Sequence, residues 1–144
     1  MMPHGRWKFM HGADDILLIK AMDSWNKEGA TEFANAFKEA ALPLIHSPWA
    51  IIISTENAEL MVPEALAVLE NLNQWAISNN CVVEANIIGY QIHKDVIEQT
   101  RAKKANNYVQ RTFSDFDSAN KFISAQGFLL SIGNDSAKLW FTTN

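Results

Sequence analysis

Two rhythms of apolar and polar positions alternate along this chain. Continuous apolar runs, the clearest being Trp49-Ala50-Ile51-Ile52-Ile53, are separated by stretches where apolar residues recur every third or fourth position. After the first run comes a helix signal at Pro63-Glu64, then a second run over residues 82–88, then a further helical stretch. Strands alternating with helices imply a parallel sheet covered by helices. In such α/β folds, ligands sit at the carboxyl ends of the strands.

Before that run, Trp7, Phe9 and His11 alternate with Arg6, Lys8 and Met10, the pattern of a half-buried edge strand. Gly12-Ala13-Asp14-Asp15 reads as a turn, and residues 16–22 as an interior strand of the same antiparallel hairpin. Asp23-Ser24-Trp25-Asn26 offers N-cap side chains for a helix whose stripe is Ala30, Phe33, Ala34, Phe37 and Ala41; Pro43 stops it. Residues 49–54 form the third strand, and residues 55–61 read as a polar loop ending in Leu60-Met61. Pro63 suits the first position of the second helix, and Glu64 suits the positive end of its dipole. Leu66, Leu69, Leu72, Trp75 and Ala76 are its buried stripe, and Asn79-Asn80 ends it.

Residues 82–88 predict a fourth strand, closed by Gly89, and residues 92–103 a third helix with Val96 and Ile97 facing inward. Val109, Arg111 and Phe113 alternate with polar neighbours, as in an outer fifth strand. Ser114 and Asp117 make a partial capping box for a helix carrying Ala119, Phe122 and Ile123, which Gly127 ends. The expected domain is therefore residues 1–127. Residues 128–144 read as a hairpin or an extended arm, laid on the domain or on a partner.

Composition narrows the function. At 144 residues, 48% hydrophobic and 19% charged, the chain fits one globular domain with a proper core. A net charge of −4 gives no basic excess for nucleic acid and no polybasic anchor for an acidic membrane surface. No apolar stretch approaches the roughly 20 residues that span a bilayer, and the first residues do not read as a signal peptide. The single cysteine, Cys81, precedes an apolar strand and reads as a packing residue. A cytoplasmic setting is the expectation.

The motifs of several chemistries are missing from the sequence. Its glycines are too scattered for a dinucleotide fingerprint or a phosphate loop, and there is no Gly-x-Ser-x-Gly elbow. His4, His11, His46 and His93 stand singly, without metal-ligand spacing. Asp14-Asp15 reads as a solvated hairpin tip, and Lys94, Arg101, Lys103, Lys104 and Arg111 as a solvated basic face. Of the five tryptophans, Trp25 and Trp140 are the candidates for a pocket or an interface. Enzymatic activity, a metal and a cofactor are not expected.

The order hairpin, helix, strand, helix, strand, helix, strand, helix, with Ser24-Trp25-Asn26 opening the first helix, resembles the STAS domain, the family of SpoIIAA-type anti-anti-sigma factors and SpoIIAA-like proteins. The resemblance covers about residues 6–126 and is closest over residues 49–69. It implies an α/β fold with a mixed, mostly parallel sheet of about five strands and about four helices. Phospho-regulated members carry Asp-Ser-Ser-Gly or similar at the helix start, where this chain has Val62-Pro63-Glu64-Ala65, and Ser54 replaces their acidic strand end. The usual phosphoacceptor is thus missing. Pro63 also removes an amide that would greet a phosphate, and Glu64 already supplies negative charge. Glu64 reads as an ordinary helix start or as a mimic of phosphate, with Ser54 and Thr55 as alternative acceptors.

The resemblance implies a non-enzymatic regulatory or binding module that contacts a protein partner. Its candidate surface is Ser54, Thr55, Glu56, Asn57, Met61, Pro63, Glu64 and Trp25, and homodimerisation through the C-terminal arm accompanies it. The alternative is a carrier or sensor of a small hydrophobic, lipid-like ligand. Its cavity would lie between helices and sheet, lined by Phe33, Phe37, Leu60, Met61 and Trp75.

Overall fold

Burial of one strand on both faces sets the architecture. The structure, a computed structural model, describes residues 2–89 and 107–143. Strand β3 (Trp49–Met61) begins with Trp49, Ala50, Ile51 and Ile52, all within 2% of complete burial. A strand apolar on both faces needs cover on each, which places it inside a parallel sheet. β3 accordingly pairs parallel with β2 (Ile16–Trp25), through Ile16↔Ala50 and Leu18↔Ile52. On its other side it pairs parallel with β4 (Cys81–Ile87), through Ala50↔Val83 and Ile52↔Ala85.

Two outer strands complete a five-stranded sheet in the order β1-β2-β3-β4-β5. β1 (Arg6–Ala13) turns back on β2 as the expected antiparallel hairpin, and β5 (Val109–Phe113) runs parallel to β4. Helices α1 (Lys27–Ala41) and α2 (Pro63–Ser78) pack with Leu17, Ile19, Ala21 and Ile51 on one face. Helices α3 (Phe116–Ala125) and α4 (Asn134–Thr142) pack with Leu18, Ile52, Val83 and Ala85 on the other. The fold is thus the α/β class expected: a mixed, mostly parallel sheet sandwiched between helices. Among the described residues, no helix is long and apolar enough to cross a membrane.

Three local expectations are corrected. Residues 55–61 are not a loop, because β3 continues to Met61 beside an equally prolonged β2. The extension pairs Met22↔Asn57, Asp23↔Ala58 and Trp25↔Met61 across two register shifts. Its pairing with β4 ends at Ser54↔Ile87, so solvent meets the exposed Glu56, Asn57 and Glu59. Irregular register and polar side chains erase the period-2 signal of a strand.

The α3 cap is Asp115, not Ser114: its carboxylate accepts from the Ser118 amide at 2.7 Å. The tail is neither hairpin nor extended arm. Asn134–Thr142 is helix α4, which buries Ala137 and Phe141, four residues apart, against the α3 side of the sheet. A nine-residue helix is marginal on its own, so packing and not propensity forms it. The helix expected over residues 92–103 lies outside the described residues. So do Lys94, Arg101, Lys103 and Lys104, while Arg111 lies 5.7 Å from the Phe122 ring centre.

Candidate functional site

Aromatic residues of β1, the β2 end and α1 interlock on one face of the sheet. Trp25, 2% exposed, meets Phe33 edge-on at 5.1 Å, and Trp7 lies 5.6 Å from Trp25. Phe33 continues to Phe37 at 6.1 Å, and Phe37 to Trp49 at 6.1 Å and Trp75 at 6.2 Å. The Trp25 indole is held by donating to the Met22 carbonyl at 2.8 Å. Asn26 caps α1 by accepting from the Gly29 amide at 2.9 Å. The same Asn26 oxygen accepts from the His4 amide at 2.9 Å, tying the N-terminal segment over the helix start.

The rings of α1 do not fill the whole space over the sheet, and a cavity of about 100 Å³ remains between α1, α2 and the strands. Ile19, Ala21, Ile51 and Ile53 form its floor, and Phe33, Phe37, Leu69 and Leu72 its walls. Trp25 and Ala58 line the end nearest the β2 terminus. The partly or fully exposed lining residues Glu59, Met61, Leu69 and Asn73 place its mouth between the β3 extension and α2.

Its other end is polar. Glu84 and Asn86, two apart on β4, project from the same strand face and line the cavity with Thr55. Glu84 is only 7% exposed, and its carboxyl accepts from Gln110 at 2.5 Å and from the Tyr108 hydroxyl at 3.1 Å. The Thr55 hydroxyl donates to Asn86 Oδ1 at 3.0 Å. Burial raises the Glu84 pKa above the usual carboxylate value, and hydrogen bonds from Gln110, Tyr108 and Asn86 partly oppose it. Burial, with Glu84 as the next cause, also pushes the Cys81 thiol up, which keeps that buried cysteine protonated and inert.

The structure divides the residues singled out in the sequence. Trp25, Thr55 and Met61 line the cavity, as do Phe33 and Phe37. Leu60 does not: it is 73% exposed, on the outer side of β3. Trp75 packs behind Phe37 without lining the space. Ser54 and Thr55 are buried, and Ser54 Oγ donates to Glu56 Oε1 at 3.3 Å. Glu56, Asn57, Pro63 and Glu64 are exposed around the entry to α2, where Val62 donates its amide to the Trp25 carbonyl at 3.2 Å. Trp140 stands across the sheet from Trp25, so the two tryptophans do not share a pocket.

Glu84, Asn86 and Asn73 were not anticipated. The usable signal was Glu84 and Asn86 interrupting one face of an otherwise apolar interior strand, since a polar pair spaced by two inside a buried strand must meet polar partners or a ligand.

No family model matches this chain, and the curated proteins give no match either. Among solved structures, it is similar to an uncharacterised protein of the DUF3478 family with a SpoIIAA-like fold, from Shewanella loihica PV-4. The two share 14% identity and a TM-score of 0.61, over 85% of this chain and 95% of the other. The likeness is one of fold, and it agrees with the STAS-like architecture read from the order of elements.

Proposed function

We propose that this chain is a cytoplasmic, non-enzymatic binding module that takes a small apolar molecule between its helices and its sheet. The observation that carries this reading is the aromatic-walled cavity of about 100 Å³. Large apolar side chains that border such a space have fewer packing partners than a close-packed core gives them. An apolar guest of about six heavy atoms, a ring or short chain, recovers the lost contacts. Toluene, added to the purified chain, tests the reading. A rise in unfolding temperature with shifted methyl resonances of Ile51, Leu69 and Leu72 is expected. No shift at saturating toluene contradicts it.

A second reading has its own observation. Leu60 and Val62, 73% and 41% exposed, flank the entry to α2 beside Glu56, Asn57, Pro63 and Glu64. Apolar side chains held open at a strand end support contact with a regulatory protein partner. Leu60→Asp then abolishes that contact while leaving toluene binding unchanged.

A further inference from the structure

We infer that the guest is an amphiphile with a hydrogen-bond-donating, non-anionic head, a primary alcohol or an alkylammonium, seated against Glu84 with its tail among Trp25, Phe33 and Phe37. This rests on the cavity being a binding site and adds the chemistry of its polar end.

The donors of Thr55, Tyr108 and Gln110 are already engaged at that end. The Thr55 hydroxyl proton goes to Asn86 Oδ1, the Tyr108 proton to Glu84, and a Gln110 N–H to the second carboxyl oxygen of Glu84. Acceptor capacity remains at Glu84 and Thr55. Each carboxylate oxygen has two lone-pair sites, and a hydroxyl oxygen that donates its proton can still accept. Glu84 and Thr55 both line the space, so these acceptors border the position a guest would take. A head group that only accepts would leave its own lone pairs and those of Glu84 facing each other without a proton between them.

Charge points the same way. A second carboxylate, Glu59, stands at the mouth of the cavity. A fatty acid anion would pass Glu59 and then be placed beside Glu84 in an apolar enclosure where water screens little. An alcohol donates one hydrogen bond without that repulsion, and an ammonium donates while neutralising the buried acid.

The test is a matched series of six-carbon probes with the full-length chain: hexan-1-ol, hexylammonium, hexanoate and hexane. Binding is read by Trp fluorescence and by the unfolding temperature at pH 7. Hexan-1-ol and hexylammonium are expected to bind at least about tenfold more tightly than hexanoate and than hexane. In Glu84→Gln, hexylammonium loses its advantage over hexanoate. Hexanoate binding as tightly as hexan-1-ol overturns the inference, whatever the variant does. Hexane binding as tightly as hexan-1-ol also overturns it while leaving the apolar cavity reading intact. Failure of all four probes, with toluene also silent, removes the cavity reading and this one with it. The wild-type series decides the matter even if Glu84→Gln does not fold.

Discussion

Lys20 on β2 reaches across the second core to cap the end of α4 at Trp140. Its ammonium donates to the Trp140 carbonyl at 2.7 Å and to the Thr143 carbonyl at 2.6 Å, and lies 5.0 Å from the centre of the Trp140 ring. Carbonyls at a helix C-terminus lack intrahelical partners and carry partial negative charge, so a cation is favoured there. Lys20 is only 7% exposed, and this contact supplies its missing hydration. Lys20→Met therefore keeps the stem and removes the cap. A loss of about 1–3 kcal/mol is expected from urea unfolding, with faster hydrogen exchange in residues 134–142 than in α1.

Filling the cavity separates packing from binding. Ala21 lies in its floor and is 5% exposed. Ala21→Val adds two methyl groups in a strand that favours β-branched residues, and a gain of about 1 kcal/mol in unfolding free energy is expected. Toluene binding should weaken in the same variant. Phe37→Ala enlarges the void and unpins Trp49 and Trp75, with an expected loss of about 3–5 kcal/mol.

Gly29 allows the N-terminal segment to cross α1. A Cβ there would stand 1.8 Å from the His4 carbonyl oxygen, a backbone atom that side-chain rotation cannot move. Gly29→Ala is favourable for helix propensity alone, yet it should destabilise by about 1–3 kcal/mol. The His4 amide, which donates to Asn26 Oδ1, should lose its protection while the amides of β3 keep theirs.

Glu84 makes stability depend on pH. Its folded pKa is raised above 4.5, so the folded state binds its proton more tightly than the unfolded state. The contribution is complete below the unfolded value and is lost as pH rises through the folded value. Among described residues, the titratable groups facing this carboxyl are Cys81 on its own strand, Tyr108 before β5, and Glu59 on the same cavity lining. Urea midpoints should fall on going from pH 4.5 upward. Glu84→Gln should lack that slope, because its side chain stays neutral throughout.

How much of the sandwich could be read in advance depended on the range of the signal. Ala30, Phe33, Ala34, Phe37 and Ala41 mark α1 because one face of a single helix must be apolar; five of the five are buried. Ile51, Ile52 and their neighbours mark an interior strand by the same local logic. The β3 extension was obscured because its polar residues answer to solvent on one edge and to a shifted register on the other. The polar end of the cavity was equally hidden: Glu84 finds Tyr108 and Gln110 more than twenty residues away, and no local period announces that meeting.

Local patterning along the chain thus determined the strands, three of the four described helices with their order, and the absence of familiar catalytic motifs. Those properties follow from which residues can be buried on a given face of a single element. Only the tertiary structure decided that the tail is a helix held by Lys20, that Ser54 and Thr55 are enclosed, and that Trp25 shares a cavity with Glu84. Each depends on groups brought together from distant positions, where close packing leaves or fills space and buried polar atoms must find partners.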